Sequence, residues 1–321
     1  MKRIIVTVGP AILNDDGIGL EDCQTHIYRI NGAHGSISDV EKWIKKIRSS
    51  FSDPDILIDL PGNKIRTANL KKPISLETQS SFSLKSHEVT YKGFHKLVKH
   101  GDIVLAEDST LRFTVDTANE DETTFISQSK GFLKNNKGLH VKGINNNLPF
   151  FFPRDHELIK IANKNKVKFV GLSFVRNVDD VNSARKLINK EIDIIAKVET
   201  KAAVDNLNYI LKEVSFVLID RGDLSTDVKL EKVPRYQRFI VESCLFHNKR
   251  VFLATQCLKN MVNYPTPTIA EVIDLYNSFK MGIFGVQLSE ETAIGKYPNA
   301  CLKIIKQVIK EIEEEQIDLE K

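Results

Sequence analysis

The chain is poor in cysteine. It has four in 321 residues, Cys23, Cys244, Cys257 and Cys301, and none forms a CxxC pair or a zinc-ligand spacing. A disulfide framework is not expected, and the four read as reduced thiols of a cytoplasmic protein. No run of about 18 apolar residues occurs, so no membrane-spanning helix is expected. The opening stretch MKRIIVTVGPAIL is too short an apolar run for a secretion signal and soon meets Gly9 and Pro10. Neither sign of charge dominates. Against 46 Lys and Arg stand 42 Asp and Glu, a net charge of +4, and the lysines are scattered without a basic block. Nucleic acid is therefore not an expected partner, whereas a small anionic substrate is compatible with the balance.

What is present is a rhythm. Short apolar runs occur at 4–8, 26–30, 55–59, 167–172, 192–198, 215–219, 250–254 and 283–288. They are rich in Ile, Val, Leu and Phe and alternate little, as parallel strands buried on both faces do. Helical patterns separate most of them, at 38–49, 155–163, 179–189, 201–212, 234–246, 270–280 and 300–314, with Asp39 as a candidate cap of the first. Eight strands alternating with helices predict a (β/α)8 barrel. The charged tail 311–321 is expected to fray.

One connection breaks the pattern. From Arg66 to about Gly143 the helix signal disappears, and short alternating runs such as QSSFSL and RFTV sit between Pro73, Gly93, Gly101 and Gly131. This predicts a small β-rich lid domain inserted after the third strand. The expected domains are a barrel formed by residues 1–67 and 143–321 and a lid formed by residues 68–142.

In such a barrel, chemistry belongs at the C-terminal ends of the strands. There the sequence places Arg29 and Asn31, then His34; Asp59 and, soon after, Arg66; Lys197 and Glu199; Arg221, Gly222 and Asp223; Thr255 and Gln256; and Ser289, Glu290 and Glu291. Strand alternation puts Arg29 with Asn31, and Lys197 with Glu199, on common faces. Glu199 and Asp223 come from neighbouring strands and suit one hard divalent ion, which takes one or two carboxylates and completes its shell with water and substrate oxygens. Arg29, Arg66 and Lys197 suit the charge of a transferring phosphoryl group. The amides of Gly222 and Asp223, where a helix starts, suit a carboxylate or phosphate. Singly, each has a bland explanation: RGD is usually a turn, a strand-end Lys is usually an ion-pair partner, and His34 before Gly35 suits a turn. The site reading rests on their convergence on one ring.

The segments IIVTVGP, YRINGAHG, DLPGNKIRT, VGLSFVRN, IIAKVET, RGDL, ATQCL, PTPTIAEV and LSEETAIGKYP, in this order, resemble the pyruvate kinase family over residues 3–298. The resemblance implies a transferase of glycolysis that moves a phosphoryl group between phosphoenolpyruvate and ADP, giving pyruvate and ATP, with Mg²⁺ or Mn²⁺ as cofactor. It makes Lys197 the lysine that stabilises the phosphoryl group and the enolate, and Glu199 and Asp223 the metal ligands. Arg29 contacts the transferred group; Asn31, His34 and Lys142 lie on the nucleotide side; and Arg66, Gly222, Asp223 and Thr255 are on the substrate side. Thr255, Ser289 and Glu291 are assigned near the proton path, and Asp108 to the lid's acidic position.

Departures from the family pattern carry expectations of their own. Ala33 and Leu60 stand where a Ser and a Thr help Asn31 and Asp59 hold K⁺, and Lys64 stands at a glutamate position, as in potassium-independent members. A fixed ammonium supplies the charge K⁺ would bring, so K⁺ is not expected to be required. Pro61, Asp220 and Glu290 replace a lysine, a small residue and a glycine. INNNLP is two residues longer than the family's VNLP. Ile269 replaces an arginine that supports a subunit contact, so a monomer or dimer is expected rather than a tetramer. The family's C-terminal regulatory domain is expected to be absent, and with it control by sugar phosphates. Two alternatives remain open: a related enzyme acting on the enolate of another 2-oxo acid, and a non-catalytic relative that binds nucleotide or phosphoenolpyruvate.

Overall fold

The computed structural model describes residues 1–13, 25–107, 110–141 and 143–319. Along the chain, β1 (Arg3–Thr7), β2 (His26–Asn31) and β3 (Ile56–Leu60) come first. There follow β4 (Ile74–Leu76), β5 (Ser81–Lys85), β6 (Ile103–Ala106), β7 (Leu111–Ala118), β8 (Glu122–Ser127), β9 (Gly131–Leu133) and β10 (His140–Val141). The last five are β11 (Phe169–Leu172), β12 (Asp193–Val198), β13 (Phe216–Asp220), β14 (Arg250–Ala254) and β15 (Gly285–Leu288). The chain divides into two compact units, residues 1–62 with 151–224 and 231–321, and residues 63–150 with 225–230.

In the first unit, β1, β2, β3 and β11 to β15 pair in parallel and close into an eight-stranded barrel. The fold is the expected (β/α)8 barrel. Each of its strands falls within two residues of an apolar run in the sequence, because a strand covered on both faces has to be apolar throughout. The helices match as well, with local corrections. Ser36, not Asp39, caps the helix Ile37–Ser50; Asp39 returns the bond from the third position and completes a capping box. The pattern at 201–212 is two helices, Lys201–Asp205 and Leu207–Glu213, broken at Asn206. The tail expected to fray is helical through Leu319. No helix among the described residues is long and apolar enough to cross a membrane.

Alternation along the strands creates a layered interior. At its lower level Ile5, Ile27, Leu57, Phe169, Ile195, Phe216, Leu218, Phe252 and Ala254 form one buried cluster. Two residues further along the same strands, the inward positions become Thr7, Arg29, Asp59, Lys197 and Asp220. The sequence thus spends the first inward position of a strand on packing and the next on chemistry.

The second unit is antiparallel. Its five-stranded sheet runs in the order β10-β6-β7-β8-β5, and β4 pairs with β9. A register shift between Val115 and Thr117 bends β7 against β8. Phe82 packs at 5.0 Å from Phe113 and 5.2 Å from Phe125, which gives this small unit an aromatic core.

Candidate active site

The upper interior of the barrel is a knot of buried charge. Arg29 Nε donates to Asp59 Oδ2 at 2.8 Å, and a second guanidinium nitrogen lies 2.6 Å from the same oxygen. Its remaining arm donates to Thr7 Oγ1 at 2.9 Å. Gly171, at the matching position of β11, leaves room for this carboxylate, since a Cβ there would lie 2.6 Å from Asp59 Oδ1.

Lys197, on β12, reaches the same knot. Its ammonium is 2.8 Å from Glu199 Oε1, 3.4 Å from Asp59 Oδ2 and 3.9 Å from Asp220 Oδ2, and it donates to Ser173 Oγ at 3.0 Å. Burial works against the charged ammonium, but the carboxylates of Asp59, Glu199 and Asp220 outweigh it and raise its pKa. Lys197 is therefore a permanent cation. For Asp59 burial likewise favours the neutral acid, and Lys197 and Arg29 overcome it, holding the carboxyl below its ordinary range. Glu199 goes the other way. Burial, joined by repulsion from Asp223 and Asp220, overrides Lys197 and pushes its carboxyl up to about 7.

Glu199 Oε2 accepts the Phe174 amide at 2.7 Å, while Oε1 is buried and accepts no aligned hydrogen bond. One oxygen from each of Glu199, Asp220 and Asp223 lies within 4.8 Å of the others. This is a hard, all-oxygen donor set, and it fits a small divalent cation.

The β13–β14 corner is built tightly. Thr255 has φ of +75° and Gln256 of +56°, a conformation a β-branched residue adopts only when its surroundings enforce it. Two contacts do so. Thr255 Oγ1 donates to Asp220 Oδ1 at 2.6 Å, and the Arg221 guanidinium donates to Thr255 O at 2.7 and 3.2 Å while pairing with Asp274 at 2.6 Å. The arginine of the RGD segment is thus a bracket for the Thr255 backbone. Gly222 is required beside it, because a Cβ there would stand 2.9 Å from Thr255 Cγ2.

The family model of the pyruvate kinase barrel domain matches residues 1–302. The pyruvate kinase of Thermotoga maritima is 34% identical, covering 97% of this chain and 71% of its own length. That of Thermococcus litoralis is 32% identical, with 97% and 70% covered, and that of Borreliella burgdorferi 31%, with 98% and 68%. The chain belongs to the pyruvate kinase family. The remaining positions at which the sequence resembles pyruvate kinase can be placed on this frame. Asn31 Oδ1 accepts the Ala33 amide at 3.1 Å, and His34 is exposed on the loop that follows. Ser289 precedes a short helix; Glu291 is buried and accepts the amides of Ser289 at 2.8 Å and Leu258 at 3.4 Å. Glu290, which departs from the pyruvate kinase pattern, is exposed and pairs with Lys259. In the second unit, the Arg66 side chain donates to Asn136 O at 3.3 Å, and Lys64 is half-buried. Lys142 and Asp108, like Cys23, lie outside the described residues.

Sequence reasoning overlooked two contributors. Ser173, the residue after β11, accepts from Lys197, and only its place two residues past the inward Gly171 could have flagged it. Arg154 donates to the carbonyls of Gly32, His34 and Gly35 at 2.5, 3.0 and 2.7 Å and so fixes the loop after β2. No local pattern marks it, since the contact spans 120 residues.

Proposed function

We propose that the chain transfers the phosphoryl group of phosphoenolpyruvate to ADP, with Mg²⁺ or Mn²⁺ held by Glu199 and Asp223. The observation that carries this reading is the ammonium of Lys197, kept charged by Asp59 and Glu199 beside a set of carboxylates suited to a divalent ion. In the reaction, the bond from phosphorus to the enol oxygen breaks and one to a terminal oxygen of ADP forms. The enolate left behind keeps the electron pair and takes a proton at its methylene carbon, giving pyruvate. Negative charge is spread over the transferring group and then over the enolate oxygen, so a positive charge already in place lowers the barrier without reorganisation. Lys197 supplies that charge, and Arg29 adds a second, fixed by Asp59. Thr255 presents its oxygen at the same mouth and orients the 2-oxo acid, while the Gly222 and Asp223 amides favour its carboxylate. The divalent ion, when bound, supplies positive charge to the anionic oxygens of the substrate.

The same reading holds that K⁺ is not required. Ala33 and Leu60 offer no side-chain oxygen, and Asn31 Oδ1 is committed to the Ala33 amide. Activation by K⁺ of several-fold over Na⁺ would overturn this part. The main test is a lactate-dehydrogenase-coupled assay with phosphoenolpyruvate, ADP and Mg²⁺. Turnover that vanishes with Lys197→Met supports the reading. One observation favours a different 2-oxo acid: the Asp220 carboxylate sits against Thr255, where the oxo acid is to bind. Turnover with a bulkier or hydroxylated 2-oxo acid, and none with pyruvate, would select that alternative.

A further inference from the structure

Gln287 is a buried amide that the barrel leaves half used. It is 2% exposed, and its Oε1 has no hydrogen-bond partner among the described residues. Its Nε2 lies 3.5 Å from Ser289 Oγ, at the outer limit of a hydrogen bond. Parallel pairing sets Gln287 beside Ile5 on one side and Ala254 on the other, both members of the buried interior cluster, so its side chain points into the barrel. The amide leans along the strand towards Ser289, which is half-buried at the mouth. A buried acceptor without a donor lowers stability, and such groups persist where function needs them. The ion pairs of Arg29, Asp59 and Lys197 make no use of this one.

Asp220 stands at the same level. It pairs with Ala254 from the opposite side, so one row of the sheet runs Asp220, Ala254, Gln287, with the smallest side chain in the middle. Neighbouring strands lie about 4.8 Å apart, so roughly 10 Å separate the two outer backbones. Asp220 Oδ1 accepts from Thr255 Oγ1 at 2.6 Å and faces the Asp223 amide at 3.4 Å, but the nearest cation to Oδ2, Lys197, is 3.9 Å away, beyond hydrogen-bond reach. Two acceptors with spare capacity thus flank Ala254, the residue before Thr255. We propose that this row selects a 2-oxo acid with a hydroxyl on the carbon chain beyond its 2-oxo group, the hydroxyl donating to Gln287 Oε1 with Asp220 beside it. The inference rests on the reading that Lys197 and Thr255 hold the enolate of a 2-oxo acid. With the carboxylate at the Gly222 and Asp223 amides and the 2-oxo oxygen at Lys197, the rest of the carbon chain is the part left to face β14 and β15. Phosphoenolpyruvate has only a methylene there and offers no donor. A hydroxyl suits the row better than an ammonium, because Lys197 already balances Asp220 and would repel a second cation. A site built around a substrate hydroxyl rejects the analogue that lacks it far more strongly than an apolar pocket separates sizes.

The experiment follows enolisation by the full chain with Mg²⁺ and ATP, read by proton NMR as exchange of the hydrogens on the third carbon for deuterium from D₂O. Exchange breaks a C–H bond, leaves the electron pair in the enolate and returns a deuteron from solvent. Two pairs of equal size are compared, 3-hydroxypyruvate with 2-oxobutyrate and 4-hydroxy-2-oxobutyrate with 2-oxopentanoate, after subtracting exchange without enzyme. In at least one pair, kcat/KM is expected to be roughly tenfold or more higher for the hydroxylated member. Gln287→Met keeps the length of the side chain and removes the acceptor. It is expected to erase the preference and to melt at a higher temperature than the wild type, because the buried unpaired oxygen is gone. A glutamine kept only for structure would lower the melting temperature when replaced, so that result overturns the proposal. Equal rates within both pairs overturn it too, as does a preference that survives Gln287→Met; exchange with pyruvate then leaves the reading of the site standing. No exchange with any of these acids or with pyruvate, and no ATP from phosphoenolpyruvate and ADP, overturns that reading itself.

Discussion

Arg29 and Asp59 are bound to each other across β2 and β3 by two short contacts, at 2.8 and 2.6 Å, and both are buried. Lys197 shares the same carboxylate oxygen at 3.4 Å. One buried anion thus serves two buried cations. Removing it takes away the carboxylate that pairs with Arg29 and one of the three around Lys197, and breaking a buried pair in this way costs about 3–5 kcal/mol. Asp59→Asn is expected to lower the urea midpoint by an amount in this range, and to do so more than Ser173→Ala, which removes only a neutral partner of Lys197. Equal and small effects of the two would show that the knot is more solvated than its burial indicates.

Gly222 tests how closely the β13–β14 corner is built. In the first turn of a helix, Ala is favoured over Gly by about 1 kcal/mol. Here its Cβ would stand 2.9 Å from Thr255 Cγ2 and 3.4 Å from Asp220 Oδ1. Thr255 is held at its carbonyl by Arg221 and cannot retreat freely. Gly222→Ala is expected to melt within about 1 kcal/mol of the wild type, propensity and clash offsetting each other. Turnover should fall at least roughly tenfold, because displacing a positioned group by a fraction of an ångström is enough to do so. A variant as active as the wild type would show that Thr255 need not keep its place.

Glu199 makes the stability of the metal-free protein depend on pH. Its carboxyl is raised from 4.5 in the unfolded chain to about 7, first by burial and then by Asp223 and Asp220. A group raised on folding contributes stability that is fully present below its unfolded pKa and is lost as pH rises through its folded pKa. With a chelator present, the wild type should therefore lose stability relative to Glu199→Gln between about pH 5 and about pH 8. Thermal melts of the two proteins measure this difference directly. Adding Mg²⁺ or Mn²⁺ should shrink it, since the cation favours the ionised form. Parallel curves with and without the substitution would mean that Glu199 ionises near its ordinary pKa.

The barrel was legible because it obeys one rule eight times over. An apolar run with a polar C-terminal end can be read from any one strand, and the sequence places Arg29, Asp59, Lys197 and Glu199 at those ends without knowledge of their neighbours. What joins them was not legible. Asp59 looked like a cation ligand and instead balances Arg29 and Lys197, a relationship among three strands. Asp220 and Glu290 were equivalent departures in the sequence, both acidic and both at strand ends. The structure separates them, since alternation and the turn after β13 aim Asp220 inward, while Glu290 begins a short helix and meets Lys259 in solvent. Arg154 illustrates the same boundary: its partners lie about 120 positions away, and no local spacing announces them.

Arg154 offers a test of whether the loop after β2 serves the nucleotide. This loop carries Asn31 and His34 and turns at Gly35, where φ is +66° and a Cβ would meet the Trp43 ring at 2.6 Å. The guanidinium supplies it with three bonds, to the carbonyls of Gly32, His34 and Gly35. Arg154→Ala removes them and is expected to cost about 1–2 kcal/mol of stability, as partly exposed hydrogen bonds to a charged group do. Loosening the loop should raise the KM for ADP several-fold while leaving the KM for phosphoenolpyruvate nearly unchanged. Lysine cannot span three carbonyls with a single ammonium, so Arg154→Lys should fall between the two. If the KM for phosphoenolpyruvate rises and that for ADP stays fixed, the loop belongs to the other substrate, and the assignment of Asn31 and His34 to the nucleotide side falls with it.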